Sequence, residues 1–220
     1  MDQSAVFFEA INKGDARQVK MLLEQDSNLA RSRAPGGESA ALWAVYTGHA
    51  DLVESLMEAG LELDLFEAAA AGKTTRVLYI LQNTPDQVNA YAPDGFTALG
   101  LAAFFGHEML VKTLLTRGAE VNQRSRNGLG VQPLHSSVAN RQLAISEALL
   151  AAGAEVNSPQ QEDITPLHEA AGNGQLDMIR LLLHYRADPK AKTRDGKTAL
   201  DMAADKGHQA VVKFLQAQPS

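Results

Sequence analysis

Two histidines stand in the same local sequence, and histidine is a common metal ligand. His135 ends "QPLH" and His168 ends "TPLH". Two zinc ligands, each about 2.1 Å from the metal, must lie within roughly 4 Å of each other. Equivalent residues on adjacent packed helices are about 8 to 10 Å apart. We therefore expect structural roles for these two histidines and no metal ion. His49, His107 and His208, each of which follows a glycine, receive the same interpretation.

Two further short motifs could support catalysis or phosphate binding. Ser137 follows His135 closely in "LHSS", but a nucleophile needs a base and an orienting acid that converge on one hydroxyl. Ser137 also stands where the other repeats have alanine, which favours a crowded position between helices. "NGLG" at 127–130 has no preceding strand and no following lysine, so it is a weak phosphate-binding signal. The sequence therefore predicts no enzyme, no cofactor and a long hairpin at 127–130.

Composition excludes several other classes of function. The net charge of −6 argues against general binding of nucleic acid, which needs clustered Lys and Arg. The chain has no cysteine, no basic targeting segment at its N-terminus and no apolar run near the roughly 18 residues of a membrane span. We therefore expect a cytoplasmic protein without contact to a membrane. Residues 36–64 hold six acids and no Lys or Arg, so one end of the molecule should be acidic.

The elements that position these residues follow from an internal repeat. A Thr-Ala/Pro-Leu element recurs at Thr97, Thr165 and Thr198, with Gln132 in the same role. A glycine that should end a helix recurs as well, and Asn140 is interpreted as its substitute in one repeat. Apolar residues follow each glycine at positions i, i+1, i+4 and i+5, which places one apolar stripe on a helix. The repeat therefore predicts an all-α protein built from stacked pairs of helices.

The segments "DGFTALGLAAFFGHEMLVKTLLTRGAEVN" at 94–122 and "DITPLHEAAGNGQLDMIRLLLHYRAD" at 163–188 resemble the ankyrin repeat. The resemblance covers essentially the whole chain and implies a single domain, 1–220, that is a solenoid of helix-turn-helix repeats joined by projecting hairpins. It also implies that the histidine of "TPLH" bonds to a hairpin. Segments such as "LDLFEAAAAG" are similar to free-standing ankyrin proteins of bacteria. The seven expected repeats span about 1–35, 36–64, 65–91, 92–124, 125–157, 158–190 and 191–220.

The third repeat is too short for a hairpin. It begins at Leu65, directly after "LELD", about nine residues earlier than the spacing of the other repeats requires. We therefore expect a gap in the row of hairpins at this point.

The resemblance implies that a protein partner binds in the concave groove of the stack. Phe104 and Phe105 occupy the two positions before Gly106, which ankyrin proteins present on that face. Exposed apolar patches of this kind mark interaction sites. The acidic second repeat would prefer a basic flank on the partner. The predicted partner-binding residues are Tyr46, Phe96, Phe104, Phe105, Leu129, Val131, Asn140, Ile164 and Asn173.

Two alternatives remain open at this point. Phe104, more than Phe105, could fill the space left by the missing hairpin and belong to the core, as Trp43 is expected to do. The chain could also be a structural subunit that acts through self-association or within a larger enzyme complex, rather than the monomeric binding module that we expect.

Overall fold

A computed structural model describes residues 3–218 of the chain. These residues form two compact parts, which we call the N-terminal segment, 3–83, and the C-terminal segment, 84–218. The single domain expected from the sequence stays a prediction. No helix in the described range is long and apolar enough to cross a membrane.

The N-terminal segment consists of three helix pairs. The first helices of successive pairs pack on one another, α1 on α3 and α3 on α5, and the second helices α2 and α4 do the same. A short 3₁₀ turn, Ser27–Arg31, follows the first pair. The helices are α1 (Gln3–Asn12), α2 (Ala16–Gln25), α3 (Ala40–Tyr46), α4 (Leu52–Glu58), α5 (Leu65–Ala70) and α6 (Thr74–Asn83).

The C-terminal segment consists of four helix pairs with the same arrangement. The first helices α7, α9, α11 and α13 pack in order, and so do the second helices α8, α10 and α12. Each helix pair of the chain falls within one of the seven expected repeats. The helices are α7 (Ala98–Phe104), α8 (Glu108–Thr116), α9 (Pro133–Ala139), α10 (Leu143–Ala151), α11 (Pro166–Gly172), α12 (Leu176–His184), α13 (Ala199–Asp205) and α14 (Gln209–Gln216). The predicted all-α class is confirmed.

Most first helices are preceded by a residue whose side chain caps the start of the helix. The Thr97 hydroxyl accepts the Gly100 N–H at 3.0 Å, and the Asp64 carboxylate accepts the N–H groups of Phe66 and Glu67. Glu67 returns the contact, because its carboxylate accepts the Asp64 N–H at 2.9 Å. Such caps satisfy donors that the first turn of a helix leaves free.

The first helices end at a residue with positive φ, which is the conformation that glycine adopts most easily. Gly106 has a φ of 84° and Gly174 a φ of 68°. Between them this position is held by Arg141, at a φ of 60°, and Asn140 is instead the helix cap one residue earlier. The assignment of Asn140 to the glycine position was therefore wrong by one residue, because arginine is a rare occupant of this conformation.

The core of each segment lies between its helix layers. Ala102 and Ala103 on α7 are fully buried, as are Ile179 and Leu182 on α12. The alanines lie on the first helices and allow close packing between neighbours, while the branched residues fill the space between the first and second layers. A helix pair alone could not cover this apolar surface, so the stack is stabilised by contacts between neighbouring pairs.

The hairpins precede the first helices, and the same backbone hydrogen bond closes each of them. The closing residue accepts this bond through its carbonyl oxygen, as Phe96 does from the Ala92 N–H at 2.8 Å. No hairpin of this kind precedes α5 in the described chain, because α4 ends at Glu58 and α5 begins at Leu65 with its cap at Asp64. The predicted gap in the row of hairpins is confirmed. The closing residues are Glu38, Phe96, Val131, Ile164 and Lys197.

Candidate interaction surface

Three consecutive hairpins of the C-terminal segment end in an apolar residue at the same position. Phe96, Val131 and Ile164 each lie directly before the cap of a first helix, and each is half-buried. Phe96 rests over Gly100, where its Cδ1 would lie 4.0 Å from a Cβ at that position. The fourth hairpin closes with Lys197, which is exposed. These four residues are called the hairpin row.

Backbone hydrogen bonds between neighbouring hairpins fix the hairpin row. The Arg126 N–H donates to the Gly95 carbonyl, and the Gln161 N–H donates to the Leu129 carbonyl, each at 2.9 Å. Leu129 lies at the tip of the longest hairpin and is 43% exposed. Its backbone therefore joins two hairpins while its side chain remains available to a partner.

Phe104 and Phe105 form an aromatic pair at the end of α7. Their ring centroids are 5.0 Å apart and the ring planes meet at 76°. Phe104 is 38% exposed, whereas Phe105, which caps the helix, is half-buried. The alternative that Phe104 fills core space is therefore wrong, because the last residue of this helix points its ring outward. Asn140 and Asn173 cap α9 and α11 at the position of Phe105 and are also half-buried.

The hairpin row and the aromatic pair lie at opposite ends of the first helices. Seven residues of α-helix separate them, which is about 10 Å. The face between them carries Leu101 and Ser136, both buried, and the half-buried Glu169 and Met202. Glu169 accepts a hydrogen bond from Gln160 Nε2 at 3.0 Å, and burial raises its pKa despite that bond. The sequence predicted one apolar strip, but this face also holds polar groups.

Tyr46 belongs to the N-terminal segment and ends α3, just as Phe104 ends α7. Its side chain is 41% exposed. Trp43, three residues earlier, is half-buried rather than a core residue, and its indole Nε1–H donates to Asn12 Oδ1 at 2.7 Å. The assignment of Trp43 to the core was wrong, because it lies four residues after its helix cap, at the position of the half-buried Glu169 and Met202.

His135 and His168 each form hydrogen bonds through both ring nitrogens. Nδ1 bonds within its own repeat, and Nε2 bonds to the next repeat. The Gln132 N–H donates to His135 Nδ1 at 3.2 Å, which leaves the proton on Nε2 to donate to the Ser158 carbonyl at 3.0 Å. His168 bonds in the same way to Thr165 and to the carbonyls of Ala191 and Lys197. Burial lowers the pKa of His135 to about 4, so this ring is neutral at pH 7.

The histidines that follow a glycine have a different contact from the expected one. His208 Nε2 lies 2.9 Å from the Gly172 carbonyl, at the end of the preceding first helix, and its ring covers Gly174. The ring of His49 covers Gly14 in the same manner. These residues are structural, but they contact the end of a helix rather than a hairpin.

The residues that suggested catalysis are parts of the core and of a turn. Ser137 is fully buried, donates to the Leu134 carbonyl at 2.9 Å and lies 2.7 Å from the Ser146 hydroxyl. In "NGLG", Asn127 Oδ1 accepts both the Ser125 hydroxyl and the Leu129 N–H, which stabilises the long hairpin. Among the described residues, no group of three or more His, Asp or Glu is arranged to hold a metal ion.

Three asparagines that the sequence did not mark as functional link the repeats in the loops between each second helix and the next hairpin. Asn89 accepts the Glu120 N–H and donates to the Gly118 carbonyl, and Asn122 does the same with Glu155 and Gly153. Asn157 repeats both bonds with Asp188 and Arg186. The sequence signal was the regular placement of these asparagines, which spacing alone assigns to no particular contact.

The layered helix pairs, the closing hairpins and the bridging histidines agree with a match to a known family. Residues 65–160 and 134–219 match the family described as ankyrin repeats in three copies. The chain belongs to the ankyrin repeat family. Members of this family generally act as protein-interaction modules and are generally non-catalytic.

Several curated proteins are similar to this ankyrin repeat chain. The Notch-regulated ankyrin repeat-containing protein of Xenopus tropicalis is 42% identical over 55% of the chain and 86% of its own length. The nuclear factor NF-kappa-B p105 subunit of Rattus norvegicus is 30% identical over 66% of the chain, which spans only 16% of that protein. The ankyrin repeat and SAM domain-containing protein 6 of Mus musculus is 32% identical over 55% of the chain and 11% of its own length.

Proposed function

We propose that this protein is a binding module that holds a segment of a partner protein against the first helices of its C-terminal segment. Tyr46 of the N-terminal segment would contact the same partner. The partner would contact the apolar members of the hairpin row, the tip residue Leu129 and the aromatic pair Phe104 and Phe105. The capping asparagines Asn140 and Asn173 would donate hydrogen bonds from the same end of the helices. No cofactor takes part.

The observation that carries this proposal is the placement of Phe96, Val131 and Ile164 at one position of three linked hairpins. Half-buried apolar residues on a fixed backbone lose little conformational freedom when a partner covers them. Aromatic residues also contribute most of the binding energy when they lie near the centre of an interface. Phe104 is the candidate for that role, because it is exposed and rests against a second ring.

Affinity purification with two matched variants tests the proposal. We expect Phe104→Asp to lose proteins that co-purify with the wild type, because it places a charge on the proposed apolar surface. Met109→Asp is the control, since Met109 is 73% exposed but lies on the second helix α8. Its co-purifying proteins should match those of the wild type.

The melting temperatures of both variants should stay close to that of the wild type, because both side chains are exposed. A Phe104→Asp protein that is folded and keeps every partner would disprove binding at this surface. Loss of partners in both variants would also contradict it, because the effect would then not belong to the first helices.

Charge and location extend the proposal. The acidic repeat at 36–64 would favour a partner with basic residues beside its apolar ones, and the overall charge of −6 disfavours nucleic acid as the partner. We propose the cytoplasm as the place of action. Similarity to free-standing bacterial ankyrin proteins stays a prediction, because the relatives described above come from rat, mouse and frog.

A scaffold subunit that acts through self-association is the competing function. We expect a monomer instead, since the proposal uses the hairpin row and the aromatic pair to bind another protein. Sedimentation at micromolar concentration distinguishes the two functions, because a stable oligomer of the purified chain would favour the scaffold.

A further inference from the structure

A second surface feature lies in the N-terminal segment. It is a cavity of about 610 Å³ between α1, the hairpin that precedes α3, and α3 itself. Phe8 and Glu9 line it from α1, Arg33 and Glu38 from the hairpin, and Trp43 from α3. We call it the Trp43 cavity.

One wall of the Trp43 cavity is aromatic. The rings of Phe8 and Trp43 meet at 89° with their centroids 6.3 Å apart. The Trp43 indole is oriented by its hydrogen bond to Asn12, and it is only half-buried although tryptophan is strongly apolar. An indole face at the edge of a cavity attracts cations, and guanidinium groups stack on it especially well.

The lining also includes a carboxylate with one oxygen that forms no hydrogen bond. Glu38 Oε2 is buried, yet it has no hydrogen-bond partner among the described residues. A buried carboxylate oxygen without a donor costs free energy, so it favours a ligand that brings one. Gly36 makes this position possible, because a Cβ at Gly36 would collide with the Glu38 carboxylate.

Two further charged residues line the cavity, and both have hydrogen-bond partners outside Glu38. Glu9 pairs with Lys13 at 2.6 Å, and Arg33 Nη1 donates to the Gly37 carbonyl at 2.7 Å. No ion pair within 4 Å joins Arg33 to Glu38 in the described chain. The surrounding repeat, 36–64, carries six acids and no basic residue, which favours a cationic ligand further.

We propose that the Trp43 cavity binds the guanidinium group of an arginine side chain from the partner protein, stacked on Trp43 and bonded to Glu38. A guanidinium ion supplies both a planar face for the indole and several N–H donors for the carboxylate. The inference deepens the proposed function, on which it rests only for the source of the arginine.

Trp43 is the single tryptophan of the chain, so its fluorescence reports on this cavity alone. The full-length protein would be titrated with N-acetyl-arginine amide, with its uncharged analogue N-acetyl-citrulline amide and with N-acetyl-lysine amide. We expect a saturable change in Trp43 emission with the arginine compound, a much smaller response to citrulline, and weaker binding of lysine.

Three variants separate charge from position. Glu38→Gln should weaken arginine binding about fivefold to tenfold, because it removes one charge-assisted hydrogen bond. Gly36→Ala keeps the charge but displaces the carboxylate, and it should weaken binding as well. Glu58→Gln removes an exposed acid outside the cavity and should leave binding unchanged. Circular dichroism would verify that each variant is folded.

The results of this titration are independent of the affinity purification with Phe104→Asp. No saturable response to arginine, an equal response to citrulline, or equal binding by Glu38→Gln would each overturn the proposal, as would lysine binding as tight as arginine. None of these results would affect the surface around Phe104, because the titration uses no partner protein.

Discussion

His135 joins two repeats through hydrogen bonds that require its neutral form. Nδ1 accepts from the Gln132 backbone and Nε2 donates to the Ser158 carbonyl. Protonation of Nδ1 would place its N–H against the Gln132 N–H, so the hydrogen bond between them would be lost. Burial is the largest cause of the lowered pKa, because it penalises the charged ring, and the nearby charge of Arg124 acts in the same direction. The ring therefore stays unprotonated in the folded chain at a pH where it would be protonated in the unfolded chain.

We expect the stability of the protein to fall between pH 6.5 and pH 4. In this window the unfolded chain binds a proton at His135 and the folded chain does not, so acid favours unfolding. At pH 5 the loss from His135 is about 2 kcal/mol. Urea unfolding at pH 7 and pH 5 measures it. The variant His135→Asn cannot titrate at this position, so it should lose less stability than the wild type between pH 7 and pH 5. An equal loss in the variant and the wild type would contradict the assignment of this effect to His135.

The sequence predicted the structural roles of some single residues better than those of others. His135 and His168 were predictable as structural, because their spacing rules out a shared metal and their local sequence repeats. Phe104 and Trp43 were not, since exposure at the end or edge of a helix depends on the neighbouring elements. Arg141 was missed for another reason: its positive φ is normally a glycine signal, and the arginine is instead fixed by its guanidinium bond to the Asn173 carbonyl at 2.7 Å.

Neighbouring helix pairs are linked at both of their ends. On the hairpin side the links are backbone hydrogen bonds and the stacking of the Arg126 guanidinium on the Tyr91 ring at 3.9 Å. The side chains of Asn89, Asn122 and Asn157 add to the links at this end. At the other end of the helices the Gln175 side chain donates to the Val138 carbonyl at 2.9 Å. The helix pairs are thereby held in register at two levels, with the apolar core between them.

We expect Asn122→Ala to destabilise the protein by about 1–3 kcal/mol, because it leaves the Glu155 N–H and the Gly153 carbonyl without their partner. The midpoint of urea denaturation measures the loss. Asn83→Ala is the control, since the Asn83 side chain bonds only within its own helix, to the Tyr79 carbonyl. Equal stability of the two variants would show that the asparagine links contribute nothing.

The helices themselves were predictable to a large extent. The repeated threonine caps and terminal glycines predicted where helices begin and end, and the short third repeat predicted a missing hairpin. The links between elements were not predictable, because a contact such as that of Asn122 with Glu155 joins residues that no local pattern relates. The candidate surface was predictable in part. The repeat gives the positions of its residues, but it does not give how exposed each side chain is.

At the scale of the whole molecule, the same position serves both segments with different chemistry. The residue that closes the hairpin is Glu38 before α3, whereas three of the four such residues in the C-terminal segment are apolar and the last is Lys197. An acidic position beside an aromatic one would suit a basic group, and the apolar row would suit hydrophobic side chains. A partner that carries both kinds of residue would therefore place its basic residues on the N-terminal segment and its hydrophobic residues on the C-terminal segment.

Tyr46 offers a test of whether both segments contact the same partner. It ends α3 as Phe104 ends α7, and the two side chains are similarly exposed, at 41% and 38%. We expect Tyr46→Asp to weaken binding of a partner identified with Phe104 about tenfold, since an aromatic anchor contributes more than 1 kcal/mol. Titration calorimetry with that partner measures the change. Met21→Asp is the control, because Met21 is 49% exposed on the second helix α2. If Tyr46→Asp binds like the wild type while Phe104→Asp does not, binding is confined to the C-terminal segment.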